Sequence, residues 1–269
     1  MKKLLVAAAA LAAGVASASI VSSSIVGYNT INITKEYTLL TVSFDAVNGS
    51  ALSIQDAFPC VDGMTKGQTS ATADNIQVMT EDGDYDIYFL SNGRYGKNGA
   101  SYSEAIDGKW VKAGALTATD RTLPAGTAFW YLSRGAKTAP FSLVVAGAVG
   151  MSESETYTIN KAYTLIGCPY PCDVALNGGI EVTGSTKGQT TAAADNIQIM
   201  KDDGDYDIYF LSNGHYGKNG ANYNEALDGK WAKAGSLTAT EDKFPAGKGA
   251  FYLSRSKEGS VKFVNPIAE

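Results

Sequence analysis

The sequence contains very little histidine and cysteine, two residue types that many catalytic sites need. Among its 269 residues the only histidine is His215, and there are three cysteines. A Ser-His-Asp or Cys-His site needs a base beside its nucleophile. Arg94 stands at the position that matches His215 in the internal repeat described below, so only one copy of the repeat could hold that base. The sequence therefore predicts a protein that is not an enzyme.

The cysteines Cys60, Cys168 and Cys172 are too few for a disulfide framework. An odd number leaves at least one thiol free or bonded between molecules. Cys168 and Cys172 are four residues apart and could form a local bridge, so their pairing stays open. The paired Cys-x₂-Cys spacing and histidine partners of a zinc site are missing. We predict no metal centre and no cofactor.

Long apolar runs are also scarce, and the one at the start of the chain is short. Leu4 to Ala18 follows the basic Met1-Lys2-Lys3 and ends in Ala16-Ser17-Ala18. This order predicts a secretory signal peptide over residues 1–18. The alternative is a buried Ala-rich helix. A membrane-spanning helix needs about 20 apolar residues, and no later stretch provides them. We expect no transmembrane segment and a mature chain that is secreted, extracellular or held at the cell surface.

The chain also lacks excess positive charge. Its formal net charge is -5 at pH 7. A nucleic-acid-binding protein usually carries a basic patch or stripe. We therefore expect no nucleic-acid partner.

What the sequence does contain is a long internal repeat. Lys66-Gly67-Gln68-Thr69 returns as Lys187-Gly188-Gln189-Thr190, and Asp82 to Gly93 returns as Asp203 to Gly214. Such self-similarity indicates a tandem duplication. We assign module 1 to residues 19–146 and module 2 to residues 147–269. The apolar junction at 142–150 predicts modules that abut without a flexible linker.

The front of the repeat has diverged. Module 1 carries about five extra residues between Thr41 and Thr65, and the cysteines lie at positions that do not match between the modules. Ala51 to Phe58 reads as one or two helical turns that occur in module 1 only.

A β-hairpin is the clearest local signal. Asp82-Gly83 is a strong two-residue turn signal, because both positions of a type I′ turn need positive φ. With those residues in the loop, Val78 faces Ile87 and Ile76 faces Phe89. One side of the hairpin is then apolar, as in a half-buried antiparallel pair.

Further alternating segments predict an all-β fold with about seven short strands per module. Each module is expected to be a β-sandwich or a barrel-like sheet. The additional strands are predicted at 26–33, 37–44, 109–112, 128–133 and 141–146.

Aromatic residues suggest the main candidate binding site. The Gly/Asn-rich segment from Ser91 to Trp110 reads as a long loop, and the repeat carries a second one. Flat aromatic rings beside polar groups can stack on sugars, and binding loops on rigid sheets are common. The alternative is that Trp110 and Tyr88 pack in the core. The candidate ligand-binding residues are Tyr95, Tyr102, Trp110, Tyr216, Tyr223 and Trp231.

Acidic residues raise two further possibilities. Glu104 and Asp107, repeated as Glu225 and Asp228, could act as the paired carboxylates of a glycoside hydrolase, although a turn that enters a strand explains them equally well. The alternating Asp82, Asp84 and Asp86, with their repeats at 203, 205 and 207, could bind calcium. The alternative for these aspartates is a solvent-facing hairpin edge.

Short motifs resemble a known group of modules. Val26-Gly27-Tyr28, Tyr37-Thr38-Leu39-Leu40, and Pro124-Ala125-Gly126 before Phe129-Trp130-Tyr131 resemble the tandem β-module families of poorly characterised secreted bacterial surface proteins. Module 2 departs from the pattern at Met151 and Ala250. The resemblance implies an exported, modular protein and provides no catalytic residues.

Taken together, these patterns predict a secreted or cell-surface structural or adhesive protein that is not an enzyme. Its partners would be other copies of itself, in a homo-oligomer or fibre, or surface glycans. Unpaired strand edges such as the start Ser19 to Val26 would provide contacts for self-assembly. The alternatives are an extracellular carbohydrate-binding protein that uses the aromatic loops and, less favoured, a glycoside hydrolase.

Overall fold

The structure is a computed structural model that describes residues 25–268. The predicted signal peptide at residues 1–18, and the predicted assembly segment up to residue 24, lie outside these residues. None of the helices within residues 25–268 is long and apolar enough to cross a membrane. The described chain is built mainly from antiparallel strands, which confirms the all-β class.

The described part of module 1 contains nine strands and one short helix, α1 at Ile54–Ala57. The prediction of a helical turn within Ala51 to Phe58 is confirmed. A 3₁₀ turn at Lys97–Gly99 joins two long strands. The strands are β1 Val26–Ile33, β2 Tyr37–Thr41, β3 Leu52–Ser53, β4 Asn75–Met79, β5 Tyr85–Tyr95, β6 Ser101–Lys112, β7 Thr122–Leu123, β8 Ala128–Leu132 and β9 Phe141–Ala148.

Module 2 follows with ten strands and an irregular turn, α2 at Leu176–Gly179, at the place of α1. Asn177 and Gly178 have non-helical backbone angles there, so a regular helical turn forms at this place only in module 1 of the described chain. A second 3₁₀ turn lies at Lys218–Gly220. The strands are β10 Ser154–Thr158, β11 Tyr163–Gly167, β12 Val174–Ala175, β13 Ile180–Thr183, β14 Asn196–Met200, β15 Tyr206–Tyr216, β16 Asn222–Lys233, β17 Lys243–Phe244, β18 Gly249–Leu253 and β19 Ser260–Val264.

Each module is centred on a five-stranded antiparallel sheet with the same strand order. The orders are β2-β8-β4-β5-β6 and β11-β18-β14-β15-β16. A smaller sheet, β1-β9 in module 1 and β10-β19-β13 in module 2, packs over one face of each. This layered arrangement is that of a sandwich. The apolar side chains between the layers of module 1 include Ile31, Ile33, Leu40, Ile76, Leu90, Trp110, Phe129, Leu143 and Val145.

The turn between β4 and β5 differs from the prediction of a two-residue loop. Thr80 N–H donates to the carbonyl of Asp84 at 2.8 Å, and Gly83 N–H donates to the carbonyl of Thr80 at 3.1 Å. The loop therefore has three residues, 81–83. Gly83 ends it with a φ of +92°, a conformation that favours glycine.

The longer loop shifts the predicted register by one residue. Ile76 lies opposite Tyr88, whereas the sequence predicted Phe89 at that place. Because side chains alternate along a strand, one extra loop residue turns every side chain of β5 to the other face. Tyr88 consequently enters the main core, while Phe89 is buried on the opposite face in a smaller cluster.

A buried carboxylate secures the end of each central sheet. Tyr131 Oη donates to Asp74 Oδ2 at 3.0 Å, and Arg134 N–H donates to Oδ1 at 2.7 Å. Module 2 repeats the arrangement around Asp195, whose carboxylate accepts from Tyr252 Oη at 2.9 Å and from Arg255 N–H at 2.7 Å. Burial raises the pKa of Asp74, although these hydrogen bonds oppose the rise. The duplicated network links the strand β8 or β18 to the chain that enters β4 or β14.

The outer faces of the two central sheets contact each other. Trp130 on β8 and Phe251 on β18 occupy matching positions of the repeat, and their ring centroids are 5.9 Å apart. Tyr37 packs edge-on against Trp130, and Tyr163 packs edge-on against Phe251. Equivalent residues from both modules therefore meet at one centre, as in the isologous interface of a symmetric dimer.

Lysines complete this interface in a reciprocal way. Lys35 Nζ donates to the carbonyl of Lys201, and Lys161 Nζ donates to the carbonyl of Thr80 at 3.0 Å. The two donors match in the repeat, and so do the two acceptors. Each module thus holds the β-hairpin turn of the other. Burial lowers the pKa of Lys35, and the nearby charge of Lys248 lowers it further.

The three cysteines form no disulfide. Cys60 is exposed, Cys168 is buried and Cys172 is partly exposed. Cys168 Sγ lies 3.5 Å from the carbonyl oxygen of Cys172. Burial raises the pKa of the Cys168 thiol to about 12. The local bridge that the sequence left open is absent from the structure.

The central contact predicts an asymmetric response to substitution. Trp130→Ala removes the ring between Phe251 and Tyr37, and we expect it to lower the free energy of unfolding by about 2–3 kcal/mol. Trp130→Phe places in module 1 the ring that module 2 has, so its cost should be about 1 kcal/mol or less. Urea unfolding followed by far-UV circular dichroism measures both values. An Ala variant as stable as wild type would contradict the interface.

Candidate functional site

The segment from Ser91 to Trp110 forms a hairpin arm instead of the predicted loop. β5 and β6 pair along it, with register shifts between Leu90 and Asn92 and between Asn92 and Arg94. These bulges absorb the Gly/Asn-rich sequence without ending the strands. Gly93 has a φ of +76°, and a Cβ there would lie 2.4 Å from the Tyr102 ring. The glycine therefore permits Tyr102 to lie over the arm.

The two tryptophans of the candidate set lie in the cores. Trp110 is 0% exposed and Trp231 is 2% exposed. The Trp110 indole N–H donates to the carbonyl of Phe58 at 2.6 Å. Neither ring can stack on a ligand at the surface, so the prediction fails for these two residues. The core alternative, which also included Tyr88, describes their positions.

Tyr102 and Tyr223 lie on the surface of the arms. They are 56% and 52% exposed. Tyr102 Oη donates to Asp107 Oδ2 at 3.0 Å, while Lys66 Nζ contacts Asp107 Oδ1 at 2.8 Å. In module 2 the same atoms meet around Asp228, with 3.2 Å to the tyrosine and 2.6 Å to the lysine. The duplication has preserved this polar group of three side chains.

The geometry of the arm bears on the predicted carboxylate pair. The hydrogen bond from Lys66, and then that from Tyr102, hold the pKa of Asp107 below its usual range. Lys187 lowers the pKa of Asp228 in the same way. A glycosidase needs one carboxylic acid with a raised pKa. These shifts have the opposite direction, so they disfavour Asp107 and Asp228 as the acid.

Four of the six aspartates considered for calcium, namely Asp86, Asp203, Asp205 and Asp207, make ion pairs with lysines. Asp86 lies 2.6 Å from Lys112 Nζ, and Asp207 lies 2.9 Å from Lys233 Nζ. Lys201 pairs with Asp203 at 2.8 Å. Over the part of the chain that the structure describes, no three His, Cys, Asp or Glu side chains are placed to hold a metal ion.

A pocket lined by matching positions of the repeat occurs at the base of each arm. The pockets measure about 300 Å³ in module 1 and about 260 Å³ in module 2. They include Tyr95 and Tyr216, which the sequence had singled out. The lining of module 1 is Gln68, Thr69, Ser70, Phe89, Tyr95, Gly96, Ala113, Gly114, Ala115 and Leu116, and the residues 121 positions later line module 2.

The duplicated pocket combines aromatic and uncharged polar groups. Phe89 and Tyr95 supply the rings, and Leu116 stands 62% exposed at the rim. Gln68 Nε2 donates to the carbonyl of Gly96 at 2.5 Å, which ties the pocket wall to the arm. Because the lining carries no charged side chain, it suits a neutral ligand with an apolar face and hydroxyl groups. Sequence reasoning found the tyrosines but not the pocket, since its other walls come from 68–70 and 113–116.

A further cavity lies in module 2. It has a volume of about 470 Å³ and lies between β13 and β16, with Glu181, Lys187 and Trp231 in its lining. In module 1 the corresponding chain, residues 59–62, takes another course. A Cβ on Gly108 would lie 3.9 Å from Cys60 Cβ, so Cys60 approaches β6 there. The two modules therefore differ in structure at the diverged front segment.

No family model, curated protein or solved structure matches this chain. The resemblance to tandem β-module families of secreted bacterial proteins stays a prediction. The interface between the modules and the duplicated pocket are the features of this chain that bear on its function.

Proposed function

We propose that this protein is a secreted or cell-surface structural or adhesive protein without enzymatic activity. The observation that carries the proposal is the reciprocal docking of the two central sheets around Trp130 and Phe251. An interface of this kind holds two equivalent surfaces at a fixed spacing. A fixed pair of surfaces suits a scaffold or an adhesin that contacts repeated features of a partner, because paired contacts gain avidity.

Further support comes from the surroundings of the residues that could act in catalysis. The single histidine, His215, places its Nδ1 3.1 Å from the carbonyl of Gly220 in the exposed turn of one arm. Of the carboxylates that a hydrolase would use, Asp107 and Asp228 are paired with lysines. Both features favour a binding or structural role.

The location of the native protein tests this proposal. Immunogold electron microscopy of cells that secrete the chain should show label on fibres, on a surface lattice or on a surface coat. Label found only on dispersed particles away from cells and fibres would contradict a structural or adhesive role.

A second candidate function, carbohydrate binding, is favoured by the duplicated pocket. Aromatic rings, Thr69 and Gln68 offer stacking and hydrogen bonds of the kind that a sugar needs. Because both modules carry the pocket, a polymeric glycan could occupy two sites at once. This function would give the adhesive protein its ligand.

Substitution of the pocket tyrosines separates this candidate from a purely structural role. A glycan array should identify a ligand for wild type. Tyr95→Ala with Tyr216→Ala should abolish binding, while either single variant should weaken binding to a polymeric glycan by about 100-fold or more through lost avidity.

The exposed arm tyrosines provide the matched control. Tyr102→Ala with Tyr223→Ala leaves both pockets lined as before, so binding should persist. Loss of binding in this variant alone would place the site on the arms, and an array without any ligand would remove carbohydrate binding.

A further inference from the structure

The smaller sheets of the two modules differ in one strand. In module 2, β19 pairs with β10 on one side and with β13 on the other. In module 1, β9 pairs with β1 only, apart from a single bridge between Ala148 and Asp45. The chain at the place of β13, residues 59–62, forms no strand and begins with Pro59, which has no N–H to donate. Within residues 25–268, one edge of β9 therefore lacks a neighbouring strand.

The hydrogen-bonding groups on this edge can be assigned from the ladder. Asp45 N–H donates to the carbonyl of Ala148 at 3.0 Å, and Ala148 N–H donates to the carbonyl of Asp45 at 2.7 Å. Bonding groups alternate between the two sides of an antiparallel strand. The N–H and C=O groups that point away from β1 are consequently those of Ser142, Val144 and Ala146. Asp45 covers this edge only at Ala148, so these three residues lie on its free part.

The exposed surface beside this edge carries several apolar side chains. Val144 is 56% exposed, and Val26 and Tyr28 on β1 are 60% and 71% exposed. In module 2 the place of Val144 is held by Lys262, which pairs with Glu181 on β13 at 2.7 Å. Soluble proteins usually protect free edges with charges, prolines or bulges. β9 has none of these between Phe141 and Ala148.

We propose that two copies of this chain pair through their β9 edges, about a two-fold axis at Val144. The inference deepens the proposed structural role, on which it rests, by naming the partner. The two β1-β9 sheets would become one four-stranded sheet. Val144 would bond to Val144 of the second copy, and Ser142 would bond to Ala146 on either side of the axis.

The strand is suited to pairing with itself. A two-fold axis brings the residues nearest to it close to their own copies, so like charges there would repel, and β9 contains no charged residue. In this register the residue opposite Ala148 is Pro140, where the strand of the second copy has ended. Asp45 therefore does not block the partner strand. Because the ladder is short, the dimer should depend on protein concentration.

Charges introduced at the axis test this pairing. Sedimentation velocity of the secreted chain over a concentration range should show a monomer–dimer equilibrium for wild type. Val144→Lys and Val144→Glu should each be monomeric, because the axis brings identical charges together. An equimolar mixture of these two variants should restore the dimer. Thr158→Lys, on the exposed face of the smaller sheet in module 2, should dimerise like wild type.

Each contrary result has a defined meaning. A wild type that is monomeric at every concentration, a dimer that survives Val144→Lys, or a mixture that stays monomeric would overturn the β9 pairing. Dimer recovery in the mixture also shows that both variants fold. If the pairing fails while immunogold label still marks a surface coat, the structural or adhesive role stands. If the pairing holds and no label reaches a surface or fibre, that role fails alone.

Discussion

The contact between Trp130 and Phe251 is the constraint on which the arrangement of this molecule depends. Each ring lies on the face of a central sheet that points away from its own core, and each would be exposed without the other module. Burial of two such faces provides a favourable free energy that is proportional to the apolar area removed from water. The reciprocal lysine contacts to the hairpin turns then fix the orientation of the two sheets.

The duplication has kept some parts of the module and changed others. The buried carboxylates, the arms and the pockets at their bases recur with nearly the same distances. The front segment differs, because β13 covers one edge of its sheet in module 2 while residues 59–62 leave that edge in module 1. The parts kept in both copies place two equivalent pockets on one body, and the changed part leaves most of one edge of β9 without a neighbouring strand among residues 25–268. Binding and assembly would thus use different regions of the same fold.

The sequence predicted the all-β class, the repeat and β1 at its observed bounds, since alternation and turn residues act locally. It missed the register of the hairpin that turns at Gly83. A three-residue loop and a two-residue loop differ by only one residue, and the sequence fits both. The tryptophans could not be assigned to core or surface from the sequence, as strand bulges decide where Trp110 points. The pocket around Tyr95 was equally out of reach, because segments distant along the chain form it.

The most direct measurement of the docked arrangement is the distance between the two pockets. Spin labels at Leu116→Cys and Leu237→Cys would report this distance by pulsed electron–electron double resonance. The three native cysteines are first replaced, so that only these two positions are labelled. These leucines occupy matching rims and are 62% and 59% exposed, so the labels should not disturb the fold. Sheets fixed by the Trp130–Phe251 contact predict one narrow distance distribution. A broad distribution would show modules that move independently and would contradict the account.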